Sequence, residues 1–203
     1  MLTELGDGAT FLPLDVRDAG AVAAVARDVL ARHGRIDILV NSAGIGGRAP
    51  AEDYPAELLE RILAINLVGT FNCCQAFGRP MLEAGSGSIV NVASVGGLVG
   101  WAGSAGYQAS KGGVVQLTRS LAVEWASRGV RVNAIAPCQF ETALVRRQWE
   151  KEPDMKAFWV SRTPIGRVGV PDEIVGPAIF LASVASAMVT GHTLMVDGGY
   201  VAQ

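Results

Sequence analysis

The amino-acid sequence predicts an α/β fold, a parallel β-sheet with helices on both faces. Half of the 203 residues are hydrophobic, which is enough for one globular domain over 1–203 with a sizeable core. Short apolar runs alternate with amphipathic stretches of helical period along the chain. The apolar runs are continuous, as in strands buried on both faces, and strands joined by helices form parallel sheets.

At the start of the chain we expect an edge strand and a helix. The run FLPLDV (11–16) is rich in β-forming residues but carries Pro13, which suits the edge of a sheet better than its centre. The amphipathic stretch 19–33 follows, with Asp18 placed to cap its first turn and Gly34 placed to end it. These punctuating residues define the helix at both ends.

A buried strand and a long helix come next. RIDILVN (35–41) predicts a strand covered on both faces. From 55 to 83 apolar residues recur with helical period, so we expect one long helix there. One side of it carries Leu58, Leu59, Ile62, Leu63 and Ile65.

Three strands and two helices complete the pattern. SIVNVAS (88–94) and VRVNAIAP (130–137) predict buried strands, with a helix over 105–128 between them. Pro171 is suited to the first turn of a helix over 171–183. HTLMVDGG (192–199) predicts a short last strand.

Composition and charge narrow the possible functions. The net charge is −2 and like charges run to pairs at most, so neither nucleic acid nor a membrane surface is an expected partner. No apolar run reaches the ~18 residues of a membrane span, and the first residues lack a signal-peptide pattern. Cys73, Cys74 and Cys138 lack metal-ligand spacing, so no metal site is expected. Reduced thiols indicate a cytoplasmic protein.

Small polar residues follow the predicted strands. Asp15 ends the first apolar run, NSAG (41–44) follows the second, Ser94 the third and Pro137-Cys138 the fourth. The carboxyl ends of parallel strands share one edge of a sheet, where ligands bind in folds of this class. The sequence therefore predicts a ligand site along this edge.

Tyr107 and Lys111 lie one helical turn apart, on the same face of the predicted helix. Free tyrosine has a pKa near ~10, and a neighbouring ammonium favours the phenolate and lowers that pKa. A partly buried pair of this kind can exchange a proton with a substrate hydroxyl or carbonyl near neutral pH. Ser94 can hydrogen-bond the same substrate oxygen, and the glycine-rich stretch after it leaves room for a ligand.

Each of these residues also has an ordinary structural interpretation. A tyrosine and a lysine four positions apart are common on exposed helices, and a serine often ends a strand in a turn. The combination of all three on these predicted elements favours the catalytic interpretation.

These motifs resemble the short-chain dehydrogenase/reductase family, and the resemblance covers essentially the whole chain. Ser94, Tyr107 and Lys111 match the family's Ser…Tyr-x-x-x-Lys signature. NSAG (41–44) is similar to its Asn-Asn-Ala-Gly motif, with Ser42 in place of the second asparagine. Each piece is weak alone, but the set is specific.

The resemblance implies an NAD(P)-dependent oxidoreductase that interconverts a secondary alcohol and a ketone. Tyr107 is the implied acid/base, Lys111 lowers its pKa and holds the nicotinamide ribose, and Ser94 orients the substrate. Asn66 completes the implied catalytic set, in a locally distorted helix where its backbone carbonyl holds a water linked to the lysine. The implied residues for binding NAD or NADP are Asp15, Val16, Asn41, Ala43, Gly44, Tyr107, Lys111, Pro137 and Thr142.

Two departures from the family pattern bear on cofactor binding. Cys138 replaces a glycine beside the nicotinamide, where a side chain is expected to crowd the ring or to make the site sensitive to thiol reagents. The family's opening strand, Thr-Gly-x-x-x-Gly-x-Gly turn, helix and second strand have no counterpart, so we expect a Rossmann-like sheet that lacks its usual first βαβ unit. That unit decides between NAD and NADP, so either cofactor agrees with the sequence.

Without that unit, the strand at 35–41 is expected to have an open edge and the strand at 11–16 to lose its neighbour. Three interpretations remain: a piece of a longer protein, a short protein in which 11–16 moves beside 35–41, or a chain that folds only through association. A non-catalytic binding or scaffold subunit is the alternative function.

Three further stretches bear on the substrate. The family carries a mobile substrate lid where this chain has 142–162, and Trp149, Phe158 and Trp159 there either close over a ligand or face the core. The C-terminal stretches 164–174 and 191–199 look like those of gluconate 5-dehydrogenase-like members, which act on sugar acids and polyols. They resemble 3-oxoacyl-[acyl-carrier-protein] reductases almost as closely.

The family also implies a homo-oligomer. Its members pack the helices that correspond to 55–83 and 105–128 against their copies in a second subunit. Leu117, Leu121 and Trp125 are ambiguous between such an interface and the core.

Overall fold

A four-stranded parallel sheet forms the centre of the protein in a computed structural model that describes residues 8–152 and 154–203. The strands are β1 (Ile38–Asn41), β2 (Gly87–Val92), β3 (Val130–Pro137) and β4 (Thr193–Val196), in the spatial order β1-β2-β3-β4. All three pairings are parallel, with Leu39 opposite Ile89 and Ile89 opposite Val132. The predicted fold class is confirmed.

Helices surround the sheet and connect its strands. They are α1 (Ala19–His33), α2 (Ala56–Leu63), α3 (Gly69–Ala84), α4 (Ala105–Trp125), α5 (Ala143–Lys151), α6 (Asp154–Ser161) and α7 (Val175–Ala182). Short 3-10 turns lie at Ala51–Asp53, Val95–Gly97, Ala126–Arg128, Pro171–Ile174, Val184–Ser186 and Tyr200–Ala202. No helix in the described part of the chain is long and apolar enough to cross a membrane.

The sheet separates two apolar layers. Ile89, Val132 and Trp125 belong to a cluster on the face that α1, α3 and α4 cover. Val90 and Ile135 point to the other face, where they pack on Leu181 of α7. This alternation follows from the strand geometry, in which successive side chains point to opposite faces.

The first strand, β1, lies at one edge of the sheet, and here one prediction is wrong. The run 35–41 was expected to be buried on both faces, but Ile38 and Val40 are 50% and 51% exposed. Leu39 packs on the covered face, whereas these two residues point to the face that α7 covers only over β2 and β3. Among the residues that the structure describes, β1 pairs with β2 alone, so it forms the expected open edge.

The predicted strand at 11–16 is not formed. The segment is not a β-strand and does not join the sheet beside β1. Among the described residues, no strand pairs with it. A side chain holds it instead: Asn72 Nδ2 donates to the Val16 carbonyl at 2.9 Å. The following helix α1 has the predicted bounds, with Asp18 Oδ1 accepting from Ala21 N at 3.0 Å and Gly34 in the left-handed region.

The long helix predicted over 55–83 is interrupted. Residues Ala64–Val68 form a π-helical turn between α2 and α3, with Asn66 fully buried at its centre. A π turn inserts one extra residue into the helix and is often found at functional sites. The local distortion implied by the family resemblance is therefore present at the implied residue.

Most of the aromatic residues of the 142–162 stretch face the core. Trp149 and Trp159 are 7% and 8% exposed and pack with Val95 and Tyr200, whereas Phe158 is 42% exposed. On α4, Leu121 and Trp125 are buried in the main core, which resolves their ambiguity in favour of the core.

Candidate active site

Ser94 lies just after β2, where the chain turns towards α4. It caps the 3-10 turn Val95–Gly97, its Oγ accepting from Gly96 N at 3.1 Å, and its side chain is nearly buried. The turn lies against α4 itself: a Cβ on Gly97 would be 2.7 Å from the Lys111 carbonyl oxygen. A glycine is therefore required for the serine and the lysine to share one site.

Lys111 is a buried cation. Its residue is 6% exposed, and Nζ donates to the Val92 carbonyl at 2.7 Å. Burial lowers the pKa of Lys111 to about 8, because the charged form loses hydration. Nζ lies 5.9 Å from the centroid of the Tyr107 ring, so the two predicted partners do meet.

The predicted lowering of the Tyr107 pKa is not found. Burial raises the pKa of Tyr107, and interaction with the Ser94 hydroxyl offsets part of the rise. The reason is that Tyr107 and Lys111 are desolvated together, and desolvation disfavours the phenolate as well as the ammonium. Burial therefore moves the pKa of Lys111 towards neutral pH and the pKa of Tyr107 away from it.

Asn66 connects the π turn to two other segments. Its Oδ1 accepts from Ile45 N at 2.8 Å, and its Nδ2 donates to Ile45 O at 2.9 Å and to Ser110 Oγ at 3.0 Å. Its backbone carbonyl accepts from Thr70 Oγ1 at 2.7 Å. The carbonyl has a second lone pair, so this bond is compatible with the implied water.

The NSAG loop (41–44) brings Gly44 against Asn66 and Lys111, in the corner between the π turn and α4. A Cβ on Gly44 would lie 3.3 Å from Asn66 Oδ1 and 3.6 Å from Lys111 Nζ. Asn41 points to the face of the sheet that α3 covers, where its Nδ2 donates to Asn91 Oδ1 at 2.9 Å and to Cys74 Sγ at 3.3 Å. Its amide therefore braces β1 against β2.

A cavity of about 200 Å³ opens at the carboxyl end of β1. Three of the predicted cofactor residues, Val16, Asn41 and Ala43, line it. Gly69 allows its shape, since a Cβ there would be 2.4 Å from Val16 Cγ2. Asp15 is outside this lining and pairs with Arg17, which lowers the pKa of its carboxyl to about 2.

The predicted residues after β3 lie apart from this cavity. Pro137 is the last residue of β3, and Thr142 is exposed, with its Oγ1 accepting from Val145 N at 3.3 Å. Cys138 is half-buried and lines a second cavity of about 340 Å³, on the side of β4. Burial raises the pKa of its thiol to about 11, which opposes the predicted sensitivity to thiol reagents.

Several residues that hold the site were not predicted from the sequence. Ser110, Gly69 and Asn72 act through hydrogen bonds or close approaches between segments distant in the sequence. Thr70 acts locally, through its hydrogen bond to the Asn66 carbonyl. Gly69 and Thr70 stand three and four residues after Asn66, and Ser110 directly precedes Lys111. Proximity to a predicted site residue was the available signal, and it does not distinguish these residues from their neighbours.

Comparison with known proteins identifies the family. A family model described as "Enoyl-(Acyl carrier protein) reductase" matches residues 1–201. The chain is similar to D-threitol dehydrogenase of Mycolicibacterium smegmatis (strain ATCC 700084 / mc(2)155), with 49% identity over 188 residues that cover 92% of this chain and 71% of the relative. The chain belongs to the short-chain dehydrogenase/reductase family.

Two other relatives of the chain illustrate the range of this family. The 3-oxoacyl-[acyl-carrier-protein] reductase of Chlamydia pneumoniae is 38% identical over 198 residues, covering 98% of this chain and 79% of the relative. The crystal structure of a gluconate 5-dehydrogenase from Burkholderia cenocepacia J2315 in complex with NADP and tartrate superposes with a TM-score of 0.90 at 40% identity, covering 94% of this chain and 74% of that one. The protein is thus an NAD(P)-dependent oxidoreductase by lineage, of the type that interconverts alcohols and ketones.

The residues present agree with a nicotinamide dinucleotide as cofactor. Lys111 forms no ion pair with any residue that the structure describes, so its ammonium keeps two protons for ligand hydroxyls. The cavity at the end of β1 is lined in part by residues 41–43 of the NSAG loop, and its walls are mostly apolar, which suits a flat ring. Both parts lie at the carboxyl ends of the strands, as expected for this fold.

Proposed function

We propose that the protein oxidises a polyol or sugar acid to the corresponding ketone, or reduces that ketone, and that Ser94, Tyr107, Lys111 and Asn66 carry the reaction. The observation that carries the proposal is the buried ammonium of Lys111, near Tyr107 and Ser94 at the end of β2. A cation without an ionic partner is costly to bury, so its position indicates a functional requirement.

In the proposed mechanism these side chains handle the proton. When bound, the nicotinamide accepts or donates the hydride. The Ser94 hydroxyl hydrogen-bonds the substrate oxygen and holds it within reach of the Tyr107 hydroxyl. As the phenolate, Tyr107 accepts the proton of the alcohol during oxidation. As the neutral phenol, it donates a proton to the ketone during reduction and becomes the phenolate. The ammonium of Lys111 stabilises this phenolate in both directions and so opposes the cost of burying its negative charge.

The relatives support the polyol class as substrate. D-threitol and gluconate, named for two of the similar proteins, both carry several hydroxyl groups along a short carbon chain. A 3-oxoacyl thioester is the second candidate, favoured by the similarity to the 3-oxoacyl reductase. The two classes differ in polarity and length, so a substrate panel separates them.

The test is a spectrophotometric assay with NAD and NADP against threitol, arabinitol, galactitol, gluconate and a 3-oxoacyl thioester. We expect turnover of at least one polyol or sugar acid and none of the thioester. Turnover of the thioester alone would overturn the substrate proposal and leave the mechanism intact. If neither NAD nor NADP raises the melting temperature at millimolar concentration, the non-catalytic alternative is favoured.

We also propose that the protein acts as a homo-oligomer in the cytoplasm. Val68 and Phe71, on and after the π turn, are 48% and 40% exposed, and Val123 on α4 is 84% exposed. Exposed apolar side chains on these helices support pairing through 55–83 and 105–128. Val123→Glu is then expected to reduce the mass measured by light scattering, and a wild-type monomer would contradict the proposal.

The three free cysteines support a reducing compartment.

A further inference from the structure

A buried serine lies between the two residues of the Tyr–Lys pair. Ser110 is on α4 directly before Lys111, and it is 0% exposed. Its Oγ donates to the Tyr107 carbonyl at 2.7 Å and accepts from Asn66 Nδ2 at 3.0 Å. A hydroxyl has one proton, and the Tyr107 carbonyl takes it, so the direction of the bond from Asn66 is fixed.

The Asn66 amide extends this link to the loop after β1. Its oxygen accepts from Ile45 N, and its two N–H groups go to Ile45 O and to Ser110 Oγ. Both amide protons are used and the residue is 0% exposed, so its side chain has no proton left for a substrate or cofactor. The side chain of Asn66 is a cross-link between α4 and the loop.

This cross-link determines what surrounds the Lys111 amine. Gly44 precedes Ile45, and a Cβ on it would lie 3.6 Å from Nζ, so the Gly44 backbone lies beside the amine. Nζ also donates to the Val92 carbonyl, at the end of β2. Tyr107 on the same helix is the titratable group that the structure places near it. No ion pair from the loop, the π turn or β2 reaches Lys111 in the described chain. Loosening the loop would therefore change the hydration of the amine.

We propose that Ser110 is a positioning residue that, through Asn66, holds the Gly44–Ile45 backbone over the Lys111 amine and limits its access to water. The proposal deepens the proposed function, because it rests on Lys111 as the partner of the Tyr107 acid/base. A serine that only filled space in the helix would not need to accept a hydrogen bond from Asn66. Nor would the Asn66 amide need to have all its hydrogen-bonding groups engaged.

The test measures the titration of Lys111 directly. The chain has three lysines, Lys111, Lys151 and Lys156, so protein labelled with ¹³C at the lysine Cε gives three NMR signals, and Lys111→Arg assigns the relevant one. In the wild type we expect it to titrate at about 8, as burial dictates. In Ser110→Ala the midpoint is expected to rise towards the ordinary value of about 10.4. Asn66→Ala cuts the same link from its other end and is expected to shift the midpoint in the same direction.

Ser120→Ala is the matched control, because Ser120 lies exposed on the same helix. It is expected to leave Lys111 unchanged. Amide exchange provides a second readout: the Ile45 N–H, bonded to Asn66 Oδ1, is expected to exchange faster in Ser110→Ala and not in Ser120→Ala. In the turnover assay, the loss in Ser110→Ala should fall on kcat rather than on KM, by about 10- to 100-fold.

Two results would overturn the proposal. One is a Ser110→Ala protein that melts at a lower temperature but keeps the wild-type titration of Lys111 and exchange of Ile45, which would show a purely structural role. The other is an equal shift in the Ser120→Ala control. Because the NMR measurement needs no substrate or cofactor, a wild type without turnover would contradict the proposed function alone.

Discussion

The corner around Lys111 and the free edge of β1 are held together in different ways. The corner is formed by α4, the π turn and the end of β2, whereas the edge is one side of the sheet. At the corner, Asn66, Ser110 and Lys111 are buried and their polar side-chain atoms have hydrogen-bond partners. At the edge, Ile38 and Val40 are about half exposed, and β1 pairs on one side only. The difference shows that hydrogen bonds between the helix, the π turn and the loop hold the corner, whereas a strand at the edge depends on whatever lies beside it.

The sharpest contrast is between Tyr107→Phe at the corner and Asp15→Asn near the edge. Removing the phenolic hydroxyl is expected to lower kcat by about 10²–10⁴-fold, because the acid/base is lost. Asp15 is exposed and already paired with Arg17, so its change should raise KM for the cofactor by less than about 10-fold and leave kcat unchanged. Steady-state kinetics with NAD and NADP measure both, and an equal loss of kcat in the two variants would break the distinction.

Two left-handed glycines compare the sheet centre with its edge. Gly129, before β3, has φ of +80°, and a Cβ on it would be 1.9 Å from the Gly85 carbonyl oxygen. Gly129→Ala is expected to cost about 3 kcal/mol or more in unfolding free energy, from backbone strain and a clash with main chain. Gly34, before β1, has φ of +75° with open space around it, so Gly34→Ala should cost about 1–2 kcal/mol. Urea denaturation distinguishes them, and equal losses would show that the clash relaxes without cost.

A pair of isoleucines tests the same contrast through packing. Ile89 in β2 is fully buried, and Ile89→Ala is expected to cost about 3 kcal/mol by leaving a cavity. Ile38 in β1 is half exposed, so Ile38→Ala should cost less than about 1 kcal/mol. If Ile38→Ala costs as much as Ile89→Ala in urea denaturation, the edge is covered in solution, by association or otherwise.

The buried amine makes stability depend on pH in a defined window. The pKa of Lys111 is lowered to about 8 in the folded state, against about 10.4 in an unfolded chain. Between these values the unfolded state holds more protons, so stability rises with pH by at most about 1.4 kcal/mol per unit. Below pH 8 both states are protonated and this contribution no longer changes.

Lys111→Met removes this dependence. The unfolding free energy of the wild type minus that of the variant should therefore increase from pH 8 to 9.5. This range ends below pH 10, where the raised pKa of Tyr107 acts in the opposite direction. A constant difference over that range would mean that the amine is hydrated in solution.

The smallest expected effect concerns the reactivity of the three cysteine thiols. Burial raises the pKa of Cys73 and Cys138 to about 11 and of Cys74 to about 12. Only the thiolate reacts, so at pH 8 all three should react with Ellman's reagent about 100-fold or more slowly in the native than in the unfolded protein. One fast thiol in the native protein, absent in Cys138→Ser, would restore the predicted sensitivity of that position.

Much of the fold could be predicted because it depends on local pattern. Asp18 and Gly34 set the ends of α1, and VRVNAIAP gave the bounds of β3 as they are observed. The predictions for 11–16 and 35–41 were wrong where the outcome depended on neighbours, because a strand exists only with a partner and is buried only beneath a covering layer. The π turn at Asn66 was expected from family resemblance and not from periodicity, since one inserted residue hardly disturbs an apolar stripe.

By itself the sequence determined the candidate chemistry: a serine at a strand end, and a tyrosine and a lysine one helical turn apart. Their side-chain types and spacing are local properties that survive in any context. The tertiary structure decided how these groups are charged and held. It buried Lys111 and Tyr107 together, so the pKa of the lysine fell while that of the tyrosine rose, and it placed Ser110 and Asn66 between the helix and the loop. Desolvation and cross-links of this kind arise only when segments distant in the sequence pack together.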